Sequence, residues 1–151
     1  MSDPQETKIA AFSALLVAQA RLRTKISEEL EIAGQISLDV YDVLKALDDH
    51  SDDKMRMSEL ADKVLLSRSG LTRKIDRLEK LGYIVRTNCP DDRRGSFAEL
   101  TDKGRGAHER AWPTVCQAIT SNFGDRMTEG ESRQLAALMK RIIEPLEKMS
   151  D

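Results

Sequence analysis

Residues 69–77 place hydroxyl and guanidinium groups at spacings suited to contact with a polyanion. Ser69, Gly70 and Thr72 are small, and Arg73 and Arg77 follow one helical turn apart. On one helix face, small residues let the backbone approach the base edges of a duplex, while the two arginines are long enough to reach guanine or phosphate. A second pair, Arg93-Arg94, stands in a polar turn with Asp, Pro and Gly. A guanidinium at such a tip can enter a narrow minor groove, where the negative potential is enhanced. Charged helix faces and charged turns are common on surfaces that bind nothing, so the weight of these residues depends on the elements around them.

Ser58 precedes Glu59 and the apolar Leu60, Ala61 and Val64. A serine cap with an acid in the first turn suits a helix N-terminus, where free N–H groups point outward. Leu65-Leu66-Ser67 forms a short apolar turn, with Ser67 placed to cap the next helix. In that helix Leu71, Ile75 and Leu78 make one narrow apolar stripe, and Ser69, Arg73, Asp76, Arg77 and Lys80 lie opposite. Gly82 stops it as a left-handed cap residue. Tyr83 to Thr87 is β-branched and aromatic and reads as a strand, 88–95 as a polar turn, and Ser96 to Leu100 as the return strand. Two short helices followed directly by a basic two-stranded ribbon are the layout of a winged helix-turn-helix.

The stretch SELADKVLLSRSGLTRKIDRLEKLGYIVR, then PDDRRG, then LTDKG at 100–104, resembles the MarR family of transcriptional regulators. The likeness runs from about Met57 to Gly104. It includes the polar start of the recognition helix, Leu81-Gly82 before the wing strand, the Asp-x-Arg wing as Asp92-Arg93-Arg94, and Leu-Thr-x-x-Gly from Leu100 to Gly104. The resemblance implies a homodimer on a palindromic double-stranded DNA operator, often repressing, and released by a small ligand or an oxidant. It implies DNA contacts from Ser67, Arg68, Ser69, Thr72, Arg73 and Arg77, and from the wing through Arg94, beside Arg93, with Asp92 orienting it. Gly70 departs from the pattern, since members usually carry a bulkier residue there; glycine inside a helix costs roughly 1 kcal/mol relative to alanine.

A net charge of −2 at first argues against a nucleic-acid partner, but its distribution removes the objection. Residues 54–105 hold 13 Lys and Arg against 8 Asp and Glu, residues 1–53 hold 5 against 11, and residues 106–151 hold 6 against 7. The basic surface therefore belongs to the middle of the chain. The 151 residues form one domain's worth of chain, 33% charged and only 4% aromatic, as in helical proteins with long solvated faces. The start MSDPQETK is polar and acidic, and no stretch reaches the roughly 20 apolar residues of a membrane span. A cytoplasmic location without a membrane partner is expected. Cys89 and Cys116 are too few for a disulfide framework.

Catalysis is poorly supported. His50 and His108 are the only histidines, neither stands near a nucleophile pattern, and there is no glycine-rich phosphate loop or CxxC. His50 among Asp48, Asp49, Asp52 and Asp53 lacks metal-ligand spacing and reads as part of a solvated loop. No enzyme activity, cofactor or metal is expected. Cys89, at the wing base between Arg86 and Arg93, reads as an incidental thiol. Oxidation-sensing members of the family generally carry a cysteine near the N-terminus, and this chain has none there.

The fold class expected is mainly α with a small β wing: a winged helix-turn-helix over about 37–104, flanked by helical dimerisation regions at about 5–33 and 105–149. Ile9, Phe12, Leu15, Leu16, Leu22, Ile26 and Leu30 make a long helical stripe that Gly34 ends. Ser37 starts a second helix with Val40, Val43, Leu44 and Leu47, and the acidic run 48–54 is a solvated loop. After Thr101 a helix runs to about Asn122 with Trp112-Pro113 inside it, Gly124 breaks it, and Thr128 caps the last. That last helix carries Leu135, Leu138, Met139, Ile142 and Ile143, and Pro145 bends or ends it. Such stripes pack within one subunit or pair across a two-fold axis. Amphipathic ends around a small DNA-reading unit favour the dimer, which sets two units on half-sites one DNA turn apart. Trp112, Phe12 and Tyr41 are candidates for the cleft of a small aromatic or anionic effector, although core packing is the simpler role for each. The alternative function is a dimeric small-molecule sensor or interaction protein whose winged helix contacts protein rather than DNA.

Overall fold

The computed structural model describes residues 3–64 and 68–148, without the side chains of Arg68, Asp92 and Arg93. In chain order the elements are α1 (Pro4–Ile32), α2 (Leu38–Asp48), β1 (Lys54–Arg56), α3 (Met57–Lys63), α4 (Arg68–Lys80), β2 (Ile84–Cys89), β3 (Asp92–Leu100), α5 (Asp102–Asn122), a 3-10 turn (Gly124–Arg126) and α6 (Glu129–Glu147). The sheet is antiparallel with order β1-β3-β2, Lys54 pairing with Glu99 and Ile84 with Leu100. This is a mainly α winged helix-turn-helix, with one element the sequence did not announce. The expected two-stranded ribbon gains β1, which forms at the end of what reads as an acidic loop.

The chain divides into two compact units, residues 26–115 and residues 1–25 with 116–151. The first holds the main core. Val43, Leu44 and Leu47 of α2, Leu60 of α3, Leu71, Ile75 and Leu78 of α4, and Ile84 and Ala98 of the sheet are all buried together. A smaller cluster joins Leu30, Leu38, Tyr41, Ala111 and Val115. In the second unit Ile9, Phe12, Leu16, Leu138, Ile142 and Ile143 are all exposed, and no residue of α6 is buried.

Several local signals act as expected. Gly34 and Gly82 adopt φ of 65° and 77°, left-handed conformations that end α1 and α4 without the steric cost another residue would meet. Ser37 accepts from the Val40 N–H at 3.4 Å. At the start of α6 the Thr128 hydroxyl accepts from the Glu131 N–H at 3.2 Å, and the Glu131 carboxylate accepts from the Thr128 N–H at 2.8 Å. The Thr128 N–H and, at 2.9 Å, the Thr128 hydroxyl both donate to the Glu131 carboxylate, which holds this carboxyl below the usual carboxylate range.

Three expectations are corrected. Ser58 is not the cap of α3, which begins one residue earlier; Arg56 occupies the cap, and its backbone N–H donates to Glu59 at 3.3 Å. Pro145 does not end α6, which continues to Glu147. So near the free end, the missing N–H removes a single intrahelical bond. The acidic run is not wholly solvated: Arg105 of α5 pairs with both Asp48 and Asp53, and the Leu100 N–H donates to the Asp53 carbonyl at 2.8 Å.

The stretch Leu100 to Gly104 locks the wing to α5. The Thr101 hydroxyl donates to the Gly82 carbonyl at 2.7 Å and accepts from the Gly104 N–H at 3.0 Å. Lys103 donates to the Leu81 carbonyl at 2.7 Å, satisfying an acceptor left open at the end of α4. A Cβ on Gly104 would stand 2.2 Å from the Tyr83 carbonyl oxygen, so only glycine fits this approach of backbone to helix.

Candidate nucleic-acid interface

The two faces of α4 are sharply divided. Leu71, Ile75 and Leu78 are buried, and Ser69, Thr72, Arg73, Asp76, Arg77 and Lys80 are exposed. Lys74, between the faces, pairs with Asp39 of α2 at 3.1 Å and ties α4 to its support. Arg86 of β2 pairs with Asp76, and its backbone N–H donates to Glu79 at 3.3 Å. This contact fixes the wing root against α4 and neutralises an acid on the helix's outer face. Among the described residues, no ion pair or hydrogen bond engages the side chains of Arg73, Arg77 or Lys80. The outer face therefore carries uncompensated positive charge.

The wing is longer and tighter than the sequence suggests. β2 runs to Cys89, Pro90-Asp91 makes the turn, and β3 starts at Asp92. The register passes from Asn88 opposite Ser96 to Cys89 opposite Asp92, so residues 93–95 have no partner on β2. Arg93 and Arg94 thus lie in an irregular, bulged part of β3 rather than in the turn. Arg94 is exposed. Ser67 lies outside the described residues. Arg68 opens α4, and Asp92 and Arg93 stand in β3, with their side chains outside the description. Cys89 is at the far end of β2, not at the wing base, and is buried, without the access a thiol sensor needs.

Sequence reasoning missed a cleft of about 390 Å³ beside this face, lined by Arg56, Met57, Ser58, Leu71, Thr72, Arg94, Gly95 and Ser96. It lies between the starts of α3 and α4 and the wing. On the outer face of the sheet Lys54 and Arg56 stand over the Phe97 ring at 5.5 and 5.6 Å from its centre. The signal for these residues was the alternation Lys54-Met55-Arg56, charged, buried, charged, which is the period of a strand. His108 was also missed as a buried group. Its ring lies 4.9 Å from that of Tyr41, and its Nδ1 is 3.4 Å from Asp48. Burial pushes the imidazole below its ordinary range against the opposing pull of Asp48. Of the three effector-cleft candidates, Tyr41 is buried in the small cluster, and Trp112 and Phe12 are exposed.

A sequence profile of the MarR family matches residues 35–95. The HTH-type transcriptional regulator PrsX of Escherichia coli is 31% identical over 134 residues, which cover 88% of this chain and 79% of PrsX. This chain belongs to the MarR family. The resemblance carried by residues 57–104 thus extends to most of its length. An HTH-type transcriptional regulator of Bacillus cereus is 39% identical over 90 residues, 60% of this chain and 59% of that protein. Among solved structures, Sco3205, a MarR family transcriptional regulator from Streptomyces coelicolor in complex with DNA, superposes with a TM-score of 0.82 at 29% identity. The match covers 97% of this MarR chain and 91% of Sco3205. The family is one of transcriptional regulators, not of enzymes. Among the described residues, no helix is long and apolar enough to cross a membrane.

Proposed function

We propose that this MarR-family chain is a homodimeric, sequence-specific DNA-binding regulator, a repressor of a palindromic operator released by a small aromatic or anionic effector. The observation that carries the reading is the outer face of α4, where Arg73 and Arg77 are unpaired among the described residues and Asp76 is already neutralised by Arg86. In this reading α4 lies in a major groove, with Ser67, Arg68, Ser69, Thr72, Arg73 and Arg77 as contacts. The wing reaches the adjacent minor groove through Arg93 and Arg94, and Asp92 orients Arg94. Residues of about 37–104 read DNA, and about 5–33 and 105–149 hold the dimer. Exposed apolar stripes on α1 and α6 support the dimer, because soluble monomers rarely leave such patches uncovered. Sco3205, solved in complex with DNA, supports the duplex as partner.

A gel shift with DNA from upstream of its own gene tests the proposal. The expected result is a complex at roughly 10 nM protein or below. Its footprint should cover two half-sites about one helical turn apart. No shift on any duplex, with capture of a protein through α4 instead, would transfer the winged helix to the alternative role.

A further inference from the structure

We propose that Arg56 is a further phosphate contact of this chain. With Arg94, it closes on a DNA phosphate seated in the cleft between α3, α4 and the wing. The inference rests on the function proposed above. A helix in the major groove and a wing in the adjacent minor groove leave one strand of the duplex backbone to pass between them. The 390 Å³ cleft occupies that position, with Thr72 of α4 on one side and Arg94 and Ser96 of the wing on the other. Among the described residues, its polar side chains are two guanidinium groups and the hydroxyls of Ser58, Thr72 and Ser96. That donor set suits an oxyanion.

Arg56 is prepared for this role. It is exposed, and among the described residues no carboxylate pairs with its guanidinium. The Phe97 ring lies 5.6 Å beneath it and restricts the side chain, so less freedom is lost on binding. The residue also opens α3, the first helix of the motif, which in this mode of docking crosses the backbone rather than reading bases. A planar fork can hold two oxygens of one phosphate, which a lysine cannot.

The test compares wild type with Arg56→Ala, Arg56→Gln and Arg56→Lys on an operator duplex and a random duplex across a salt series, with melting and sedimentation on each. Arg56→Gln keeps a polar stem over Phe97, so a folding defect in the alanine variant does not leave the question open. Loss of the charge should weaken both duplexes about tenfold and reduce the slope of log affinity against log salt by about one per subunit. Arg56→Lys should keep the slope and lose part of the affinity. If wild type binds and the Ala or Gln variant keeps its affinity and slope, the contact is overturned while the function stands. A loss confined to the operator duplex would also overturn it, because a phosphate contact is blind to sequence. If wild type binds neither duplex, the function falls first and the contact with it.

Discussion

Leu71, Ile75 and Leu78 of α4 are 1%, 0% and 0% exposed, whereas Leu138, Ile142 and Ile143 of α6 are 49%, 51% and 50% exposed. Both sets recur at helical spacing, and both helices carry charge on the face opposite. The difference is in what covers them. The stripe on α4 meets α2, α3 and the sheet of its own unit. The stripe on α6 meets nothing that buries it, and neither do Ile9, Phe12 and Leu16 of α1. Periodicity therefore tells which face of a helix is apolar, but not whether its cover comes from the same chain or from a second copy.

The change that would break this comparison most severely is Leu138→Asp with Ile142→Asp. It should give a monomer or an unfolded chain by sedimentation and weaken operator binding on the order of a hundredfold or more, as the two half-sites cease to be held jointly. A folded, dimeric variant with full DNA affinity would remove α6 from the interface. A pair of milder changes sharpens the contrast. Ile75→Ala should cost about 2–5 kcal/mol of stability with the monomer–dimer equilibrium unchanged. Ile142→Ala should instead shift that equilibrium towards monomer, with an effect that fades as protein concentration rises. Denaturation and sedimentation at two concentrations separate the two, and equal effects on dimerisation would show that the stripes do not differ.

Much of the winged helix was legible because its signals are local. The stripe of α4, the left-handed Gly82 and the Ser37 cap each depend on residues within one or two turns of one another. What escaped depends on partners far along the chain. β1 is three residues long and exists through pairing with Glu99, Ala98 and Phe97, more than forty positions on. Asp48 and Asp53 looked like a solvated run because their partner, Arg105, follows by 57 and 52 positions. His108 was buried by Tyr41 and Asp48 in the same way. Arg93 and Arg94 were assigned to a turn because Pro90, Asp91 and Gly95 are turn formers; the irregular register draws them into β3 instead.

On the exposed face of α4, Arg73→Ala should cost roughly 1–3 kcal/mol of discrimination between operator and random duplex, while Lys80→Ala, at the helix end, should weaken both about equally. Arg94→Ala should reduce DNA affinity with the melting temperature nearly unchanged, since it is an exposed wing residue. Identical profiles for Arg73 and Lys80 variants on the two duplexes would mean that α4 docks differently. The smallest effect belongs to the buried side of the same unit. Because burial lowers the His108 pKa, the unfolded chain takes up the proton first as pH falls. Stability should be level above about pH 6.5, decline as pH falls below it, and level again once the folded imidazole is charged. His108→Gln should flatten that decline in melting temperature between about pH 7.5 and 5. An unchanged decline in the variant would place its origin elsewhere.

The claim at the centre of this account is that the basic middle of the chain, 13 Lys and Arg against 8 Asp and Glu, exists to meet a duplex. Equilibrium binding of the wild-type protein to duplex DNA across a salt series tests it most directly. If about six to ten phosphates are neutralised by the dimer, affinity should fall on the order of a thousandfold or more between about 50 and 200 mM salt. An affinity that stays flat over that range, or no binding at the low-salt end, would contradict it.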